Sequence, residues 1–277
     1  MNDIKEITAN DDCERFHAGA VKYAAYLETP EGRLRLDLAF ASLLEFLPQA
    51  TQPLNALDLG GGTGANALCL ARLGHHVTLL DSSLQMLDFA KRAAQEAGVT
   101  ERITLKRGDA AQLENLIPAE SFDVILCHNI LEYVDDPSAV LRIAALALRD
   151  PSGIISVLVR NQAGEVLKAA IKDGDLAAAA CNLTAEWATE SLYGGKVRLF
   201  TAANLRDTLL ESSLAVTAER GVRVMSDYLP SKVSRNDEYE RILELERKLG
   251  KRPEFAAVAR YLHFLAHRTD SVIRDGA

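Results

Sequence analysis

Apolar residues along this 277-residue chain fall into two recurring patterns. One is the short continuous run: Asn55–Leu59 (NALDL), His76–Leu80 (HVTLL), Ile103–Lys106, Phe122–Cys127 (FDVILC) and Ile154–Val159 (IISVLV). The other places apolar residues at helical spacing. It covers Leu34–Leu47, Ala65–Leu73, the stretch from Ser82 or Ser83 to Glu96, and the stretch from Asp135 or Asp136 through Ala147. Strands buried on both faces read as unbroken apolar runs, so the alternation predicts a parallel sheet covered by helices on both sides. The punctuation agrees. Gly74 and Gly98 end helices, Pro137 opens one, and Asp150-Pro151-Ser152-Gly153 makes a turn before the fifth strand.

After Arg160 the pattern changes. Residues 163–195 are rich in alanine and read as helical, with the single tryptophan, Trp187, among them. Thr201 caps a helix that ends near Ser212. Leu214–Val224 and Val258–His267 read as strands, separated by a charged helix, Asp237–Leu249, that Gly250 stops. This late pair predicts an antiparallel edge on an otherwise parallel sheet. Four stretches follow: an N-terminal helical segment (1–54), a cofactor-binding core (55–160), a helical insertion or lid (161–213), and C-terminal strands and helix completing the same domain (214–277).

Composition narrows the classes. At 48% hydrophobic and 25% charged residues, the chain is neither disordered nor fibrous. No apolar run approaches the roughly 18 residues of a membrane span. The charged start, Met-Asn-Asp-Ile-Lys-Glu, has no signal-peptide core. A net charge of -8 gives no global pull toward nucleic acid. Cys13, Cys69, Cys127 and Cys181 form no Cys-x-x-Cys pair, which fits reduced thiols and a cytoplasmic location. His17, His75, His76, His263 and His267 lack ligand spacing, so no metal is expected.

The strongest chemical signal is Asp58-Leu59-Gly60-Gly61-Gly62-Thr63-Gly64, between a strand and a helix. Glycines permit a tight turn and let a ligand approach where a Cβ would collide. Alone, the loop fits a nicotinamide enzyme, another nucleoside-cofactor enzyme or a structural turn. Its surroundings discriminate. Asp81 ends the second strand, where a carboxylate accepts ribose hydroxyls. Gly108-Asp109-Ala110-Ala111 follows the third strand, and His128-Asn129 the fourth. No catalytic Tyr-x-x-x-Lys accompanies them.

Taken in order, LDLGGGTGAN (57–66), LLD (79–81), GDAA (108–111), HNILEYVDDP (128–137) and LRDPSG (148–153) resemble the class I S-adenosylmethionine-dependent methyltransferases. That resemblance implies a Rossmann-like α/β fold with a seven-stranded, mostly parallel sheet. It also implies S-adenosyl-L-methionine as cofactor and S-adenosyl-L-homocysteine (SAH) as product. The flanks, Gly32–Arg35, GVRVMSDYL (221–229) and residues 239–268, look like the tRNA 5-carboxymethoxyuridine carboxyl methyltransferase family. On that resemblance Arg35, Gly60, Gly61, Asp81, Ala110, Ala111 and His128 touch the cofactor. Asp58, Gly62, Gly64, Ser82, Met86 and Asp109 join the candidate cofactor site, with Met86 packing under the adenine.

Methyl transfer from a sulfonium is an in-line displacement whose neutral leaving group needs no acid. A carboxylate acceptor is ionised at pH 7 and needs a cation rather than a base. Arg160, Arg198 and Arg223 are the candidates. An amine or hydroxyl acceptor would need a base, for which His128 is placed, with Tyr133 behind it. Where the family carries a lysine-rich segment, CNLTAEWATESLYGGKVR (181–198) has only Lys196 and Arg198 as cations. The acceptor therefore stays open between tRNA and a small molecule, and a cofactor-binding protein without catalysis is a third reading. The run Asp237–Arg252 reads as a solvated helix face or an oligomer contact.

Overall fold

The computed structural model describes residues 9–149, 153–190, 192 and 194–269. The five apolar runs form β1 (Asn55–Leu59), β2 (His76–Asp81), β3 (Ile103–Arg107), β4 (Val124–His128) and β5 (Ile154–Arg160). They pair in parallel in the order β3-β2-β1-β4-β5. Chain direction across the sheet reverses between β1 and β4, which opens a crevice above their carboxyl ends.

The helices are α1 (Ala9–Leu27), α2 (Pro30–Leu44), α3 (Ala65–Arg72), α4 (Leu84–Glu96), α5 (Leu113–Leu116), α6 (Pro137–Ala147), α7 (Gln162–Leu167), α8 (Leu176–Asn182), α9 (Ala202–Glu211), α10 (Tyr239–Gly250) and α11 (Pro253–Ala256). Several starts are set by side chains that accept an orphan N–H. Thr29 accepts from Gly32, Ser83 from Met86 and Asp136 from Ala139. At α9, Thr201 and Asn204 cap each other reciprocally. On one face of the sheet Leu57, Ile125, Val157 and Phe264 join a core with α6 and α9. On the other, Leu79, Leu126 and Leu265 pack with α3, and Leu34 and Leu38 of α2 meet Leu158 and Tyr261.

The tail completes the same sheet. β8 (Leu214–Val222) is the edge strand, and β9 (Tyr261–Arg268) runs antiparallel between β5 and β8. The antiparallel strand therefore stands one place in from the edge.

Four expectations change. The helical reading of 163–195 ends at Asn182, and a hairpin of β6 (Trp187–Thr189) and β7 (Lys196–Arg198) follows. Gly194 and Gly195, at φ +75° and +95°, turn it. Val258–Arg260 lies before β9 rather than in it. Gly250 is the last residue of α10 rather than its stop, and a Cβ there would strike the Gly221 carbonyl, so the glycine lets the helix cross β8 closely. Nor is the charged run wholly solvated. Glu246 is fully buried and accepts N–H bonds from Val224, Met225 and Ser226. Asp150, Pro151 and Ser152 of the predicted turn lie outside the described residues.

Candidate functional site

The glycine loop is stitched to β2 by backbone bonds. Gly60 N–H donates to Leu80 O at 2.8 Å. Gly62 and Ser83 N–H donate to the two carboxylate oxygens of Asp81 at 2.9 and 2.8 Å. Gly60, Gly62 and Gly64 take φ of +62°, +54° and +81°, a region side chains disfavour. A Cβ on Gly60 would collide with Ile130, and one on Gly61 would lie 2.6 Å from Leu79 and 2.9 Å from Asp58. The turn keeps its shape only without side chains.

Above it lies a cavity of about 340 Å3. Gly60, Gly62, Asp81, Ser82, Met86, Asp109 and Ala110 line one side. His128, Tyr133 and Arg160 line the other. Ala111 lies in the helical turn after Ala110. A smaller pocket, about 20 Å3, sits under the loop between Asp58, Asn66, Arg35, Gly61 and His128. Asp58 Oδ2 and Asn66 Oδ1 are buried there without a hydrogen-bond partner. Burial first, and then the charge of Asp81, raises the Asp58 carboxyl to about 7.

These features fit an aminoacyl nucleoside. The orphaned acceptors suit an ammonium, and the Arg35 guanidinium beside them suits a carboxylate. Asp81 keeps lone pairs for ribose hydroxyls although each oxygen already accepts one N–H. Arg35 is nearly buried, donates to Tyr23 Oη at 2.8 Å, and lies 5.1 Å from the Tyr26 ring and 5.8 Å from the Tyr261 ring. Burial alone would raise the Tyr261 phenol, but Arg35, Arg223, Arg160 and Arg260 draw it down to about 8.

The three candidate arginines separate. Arg160 faces the cavity; its Nη1 donates to Glu165 at 3.1 Å and its Nη2 lies 3.7 Å from Glu190. Arg198 does not line the cavity. It stacks 4.6 Å over Trp187, its cross-strand partner, and donates to Asp135 O at the rim. Arg223 is buried elsewhere. At φ +61°, just past β8, it turns to Asp227 and donates to Tyr26 Oη at 2.9 Å. Tyr133 meets Phe16 of α1 edge-to-face at 5.0 Å. Burial, with His263 and Arg35 nearby, holds His128 neutral, its pKa well below the usual range.

Tyr23, Tyr261, Glu132 and Glu190, none of them among the residues expected from sequence, also line the cavity. Glu132 had a signal, since it stands inside HNILEYVDDP. It accepts from Asn129 Nδ2 at 2.9 Å and from Arg160 N–H at 2.8 Å, while its Oε2 has no partner. Among the described residues no side-chain cluster could hold a metal ion, and no helix is long and apolar enough to cross a membrane.

A family profile described as a methyltransferase domain matches residues 51–245. The tRNA 5-carboxymethoxyuridine methyltransferase of Escherichia coli (strain K12) is 31% identical over 253 residues, covering 88% of this chain and 91% of that protein. The ubiquinone biosynthesis O-methyltransferase of Actinobacillus pleuropneumoniae serotype 7 (strain AP76) is 32% identical over 141 residues, 48% of this chain and 59% of that protein. Magnesium protoporphyrin IX methyltransferase from Synechocystis PCC 6803, solved with SAH, superposes with a TM-score of 0.63 at 15% identity, covering 95% of this chain and 100% of that one.

Proposed function

The chain belongs to the S-adenosylmethionine-dependent methyltransferases, and within that family we propose that it methylates the carboxylate of 5-carboxymethoxyuridine at the tRNA wobble position, forming the methyl ester. The observation that carries this is the reach of the likeness to the Escherichia coli enzyme. It spans 88% of this chain, whereas the likeness to the O-methyltransferase spans 48%. It therefore extends beyond the cofactor core into the segments that wall the acceptor side. The reading goes with a cytoplasmic enzyme that meets its tRNA there.

When bound, S-adenosylmethionine supplies an electrophilic methyl on a sulfonium. The chain has to hold the donor and align the nucleophile. Asp81 offers acceptors to the ribose, and Arg35 a guanidinium to the aminoacyl end. A carboxylate nucleophile arrives ionised and needs no base. This suits His128, whose Nε2 is already engaged with Ser156 at 2.8 Å. Arg160, pinned by Glu165, is the cation on the cavity wall that orients the acceptor carboxylate.

One observation favours a second reading, a hydroxyl or amine on a small metabolite. Burial raises the Glu132 carboxyl, whose Oε2 is unpaired, so it has the character of a base. Radiolabelled methyl transfer separates the two. The tRNA reading expects label in tRNA carrying 5-carboxymethoxyuridine, released by mild alkali as an ester is. Label only in a small-molecule extract would replace it with the second reading. Arg160→Ala should raise the KM for the acceptor about tenfold or more and leave SAH affinity near wild type.

A further inference from the structure

Under the cavity floor, three adjacent strands bring polar side chains to one face of the sheet. His128 ends β4, Ser156 sits in β5 and His263 in β9. Their registers, His128 and His263 each opposite Leu158, place all three on that face. His128 Nε2 is 2.8 Å from Ser156 Oγ, which is 2.7 Å from His263 Nε2. Ser156 and His263 are wholly buried, and the two rings meet edge-to-face at 5.5 Å. An apolar trio would pack here without desolvating three polar groups. The methyl-transfer chemistry uses none of the inner pair.

The protons on this chain can be counted. Each of the two hydrogen bonds needs one hydrogen, and the serine hydroxyl supplies only one. Were both neutral imidazoles to donate from Nε2, the hydroxyl hydrogen of the wholly buried Ser156 would have no acceptor, since its Oγ has no third partner among the described residues. One histidine therefore carries its proton on Nε2 and the other on Nδ1. His263 Nδ1 is buried without a partner. A proton there would be an orphaned buried donor, which structures avoid more strongly than an unused acceptor. His263 therefore donates from Nε2 to Ser156, and Ser156 donates to His128 Nε2. His128 is left with its proton on Nδ1.

We infer that Ser156 and His263 are positioning residues that lock His128 as an Nδ1–H donor toward the pocket it shares with Arg35 under the glycine loop. His128 is then a hydrogen-bond donor to a bound anion, such as the aminoacyl carboxylate of the cofactor, and not a base. The inference stands on the cofactor site and is independent of which acceptor is methylated. The ionisable groups around the chain act together. Burial, and then His263 on β9 and Arg35 on α2, oppose a second proton on His128, and burial, and then Arg220 on β8, oppose one on His263. Asp58 on β1 faces the same small pocket.

Long-range proton–nitrogen NMR on ligand-free protein reads the tautomer directly. The expected result is His128 in the Nδ1–H form, unchanged from pH 5.5 to 8. In Ser156→Ala, His128 should shift toward Nε2–H, and the Kd for SAH, by calorimetry, should rise about tenfold. Ser156→Thr should restore both the tautomer and the affinity, which a purely structural role for the serine would not require. An Nε2–H form of His128 in the wild type, or titration near pH 6.5, overturns the inference. So does a Ser156→Ala protein with an unaltered tautomer. The wild-type spectrum decides even if a variant fails to fold.

Discussion

The two halves of the site hold their polar groups by different means. Around β1 and β2 the holding is done by backbone: Asp81 is fixed by the N–H groups of Gly62, in the loop after β1, and of Ser83, two residues on. Beyond β5 it is done by side chains, in two short-range pairs joined to each other and to α1 by contacts that cross the sequence. Arg160 pairs with Glu165, Glu165 with Arg260 at 2.9 Å, Arg260 stands 3.9 Å from Asp227, and Asp227 pairs with Arg223, which reaches Tyr26 on α1. The first arrangement tolerates no added side chain. The second tolerates no missing charge. Substitutions on the two sides should therefore fail in different ways.

The largest effect is expected on the side-chain half. Arg223→Ala leaves the Asp227 carboxylate buried with only the more distant Arg260 beside it, and breaking such a pair costs about 3–5 kcal/mol. Urea denaturation should report that loss. Adding Asp227→Ala should recover part of it, because the stranded charge is then gone. An Arg223→Ala protein of native stability but lost acceptor binding would return Arg223 to the substrate-holding role that sequence alone allowed.

A smaller effect, of the other kind, is expected at Gly60. Alanine there pays about 1–2 kcal/mol for the left-handed backbone and must also displace Ile130 on the rim. Gly60→Ala should weaken SAH binding by about tenfold to a hundredfold in calorimetry while the protein stays folded. Wild-type affinity would show that the turn has slack, and the contrast between the halves would dissolve.

The same contrast explains what the sequence could reveal. β1, β2, the glycine loop, the acidic end of β2 and the cap Thr201 were legible, and the caps Ser83 and Asp136 to within one residue, because each is marked by residue types within a short stretch. So was the late strand pair. What was not legible depends on which partner a side chain meets once the chain is folded. Arg223 and Arg160 are both arginines at strand ends, and only the placement of Asp227 and Glu165 sends one into the interior and the other to the cavity. Tyr23 and Tyr261 meet around Arg35 from opposite ends of the chain. Glu246 looks like one more charge on an amphipathic helix until Val224, Met225 and Ser226 fold over it. The β6–β7 hairpin hid within an alanine-rich stretch whose helical tendency ends at Asn182.

The gentlest test lies at the junction of the loop and its ligand. Asp58 is a carboxyl that burial, and next the charge of Asp81, raises from 3.8 to about 7. Between those values the folded protein binds more protons at this position than the unfolded chain does. The resulting stability is fully present below about pH 4 and is lost as pH rises through 7, at no more than about 1.4 kcal/mol per pH unit. Denaturation of the ligand-free protein at pH 5 and 7.5 should show that decline, and Asp58→Asn, which mimics the protonated acid, should flatten it. A ligand ammonium donating to Asp58 Oδ2 favours the ionised form, so SAH binding near pH 6.5 should release a proton. Calorimetry in buffers of different ionisation enthalpy reads that release. Buffer-independent heats would mean that the orphaned oxygen of Asp58 never meets the ligand, and that backbone alone holds it on the cofactor half.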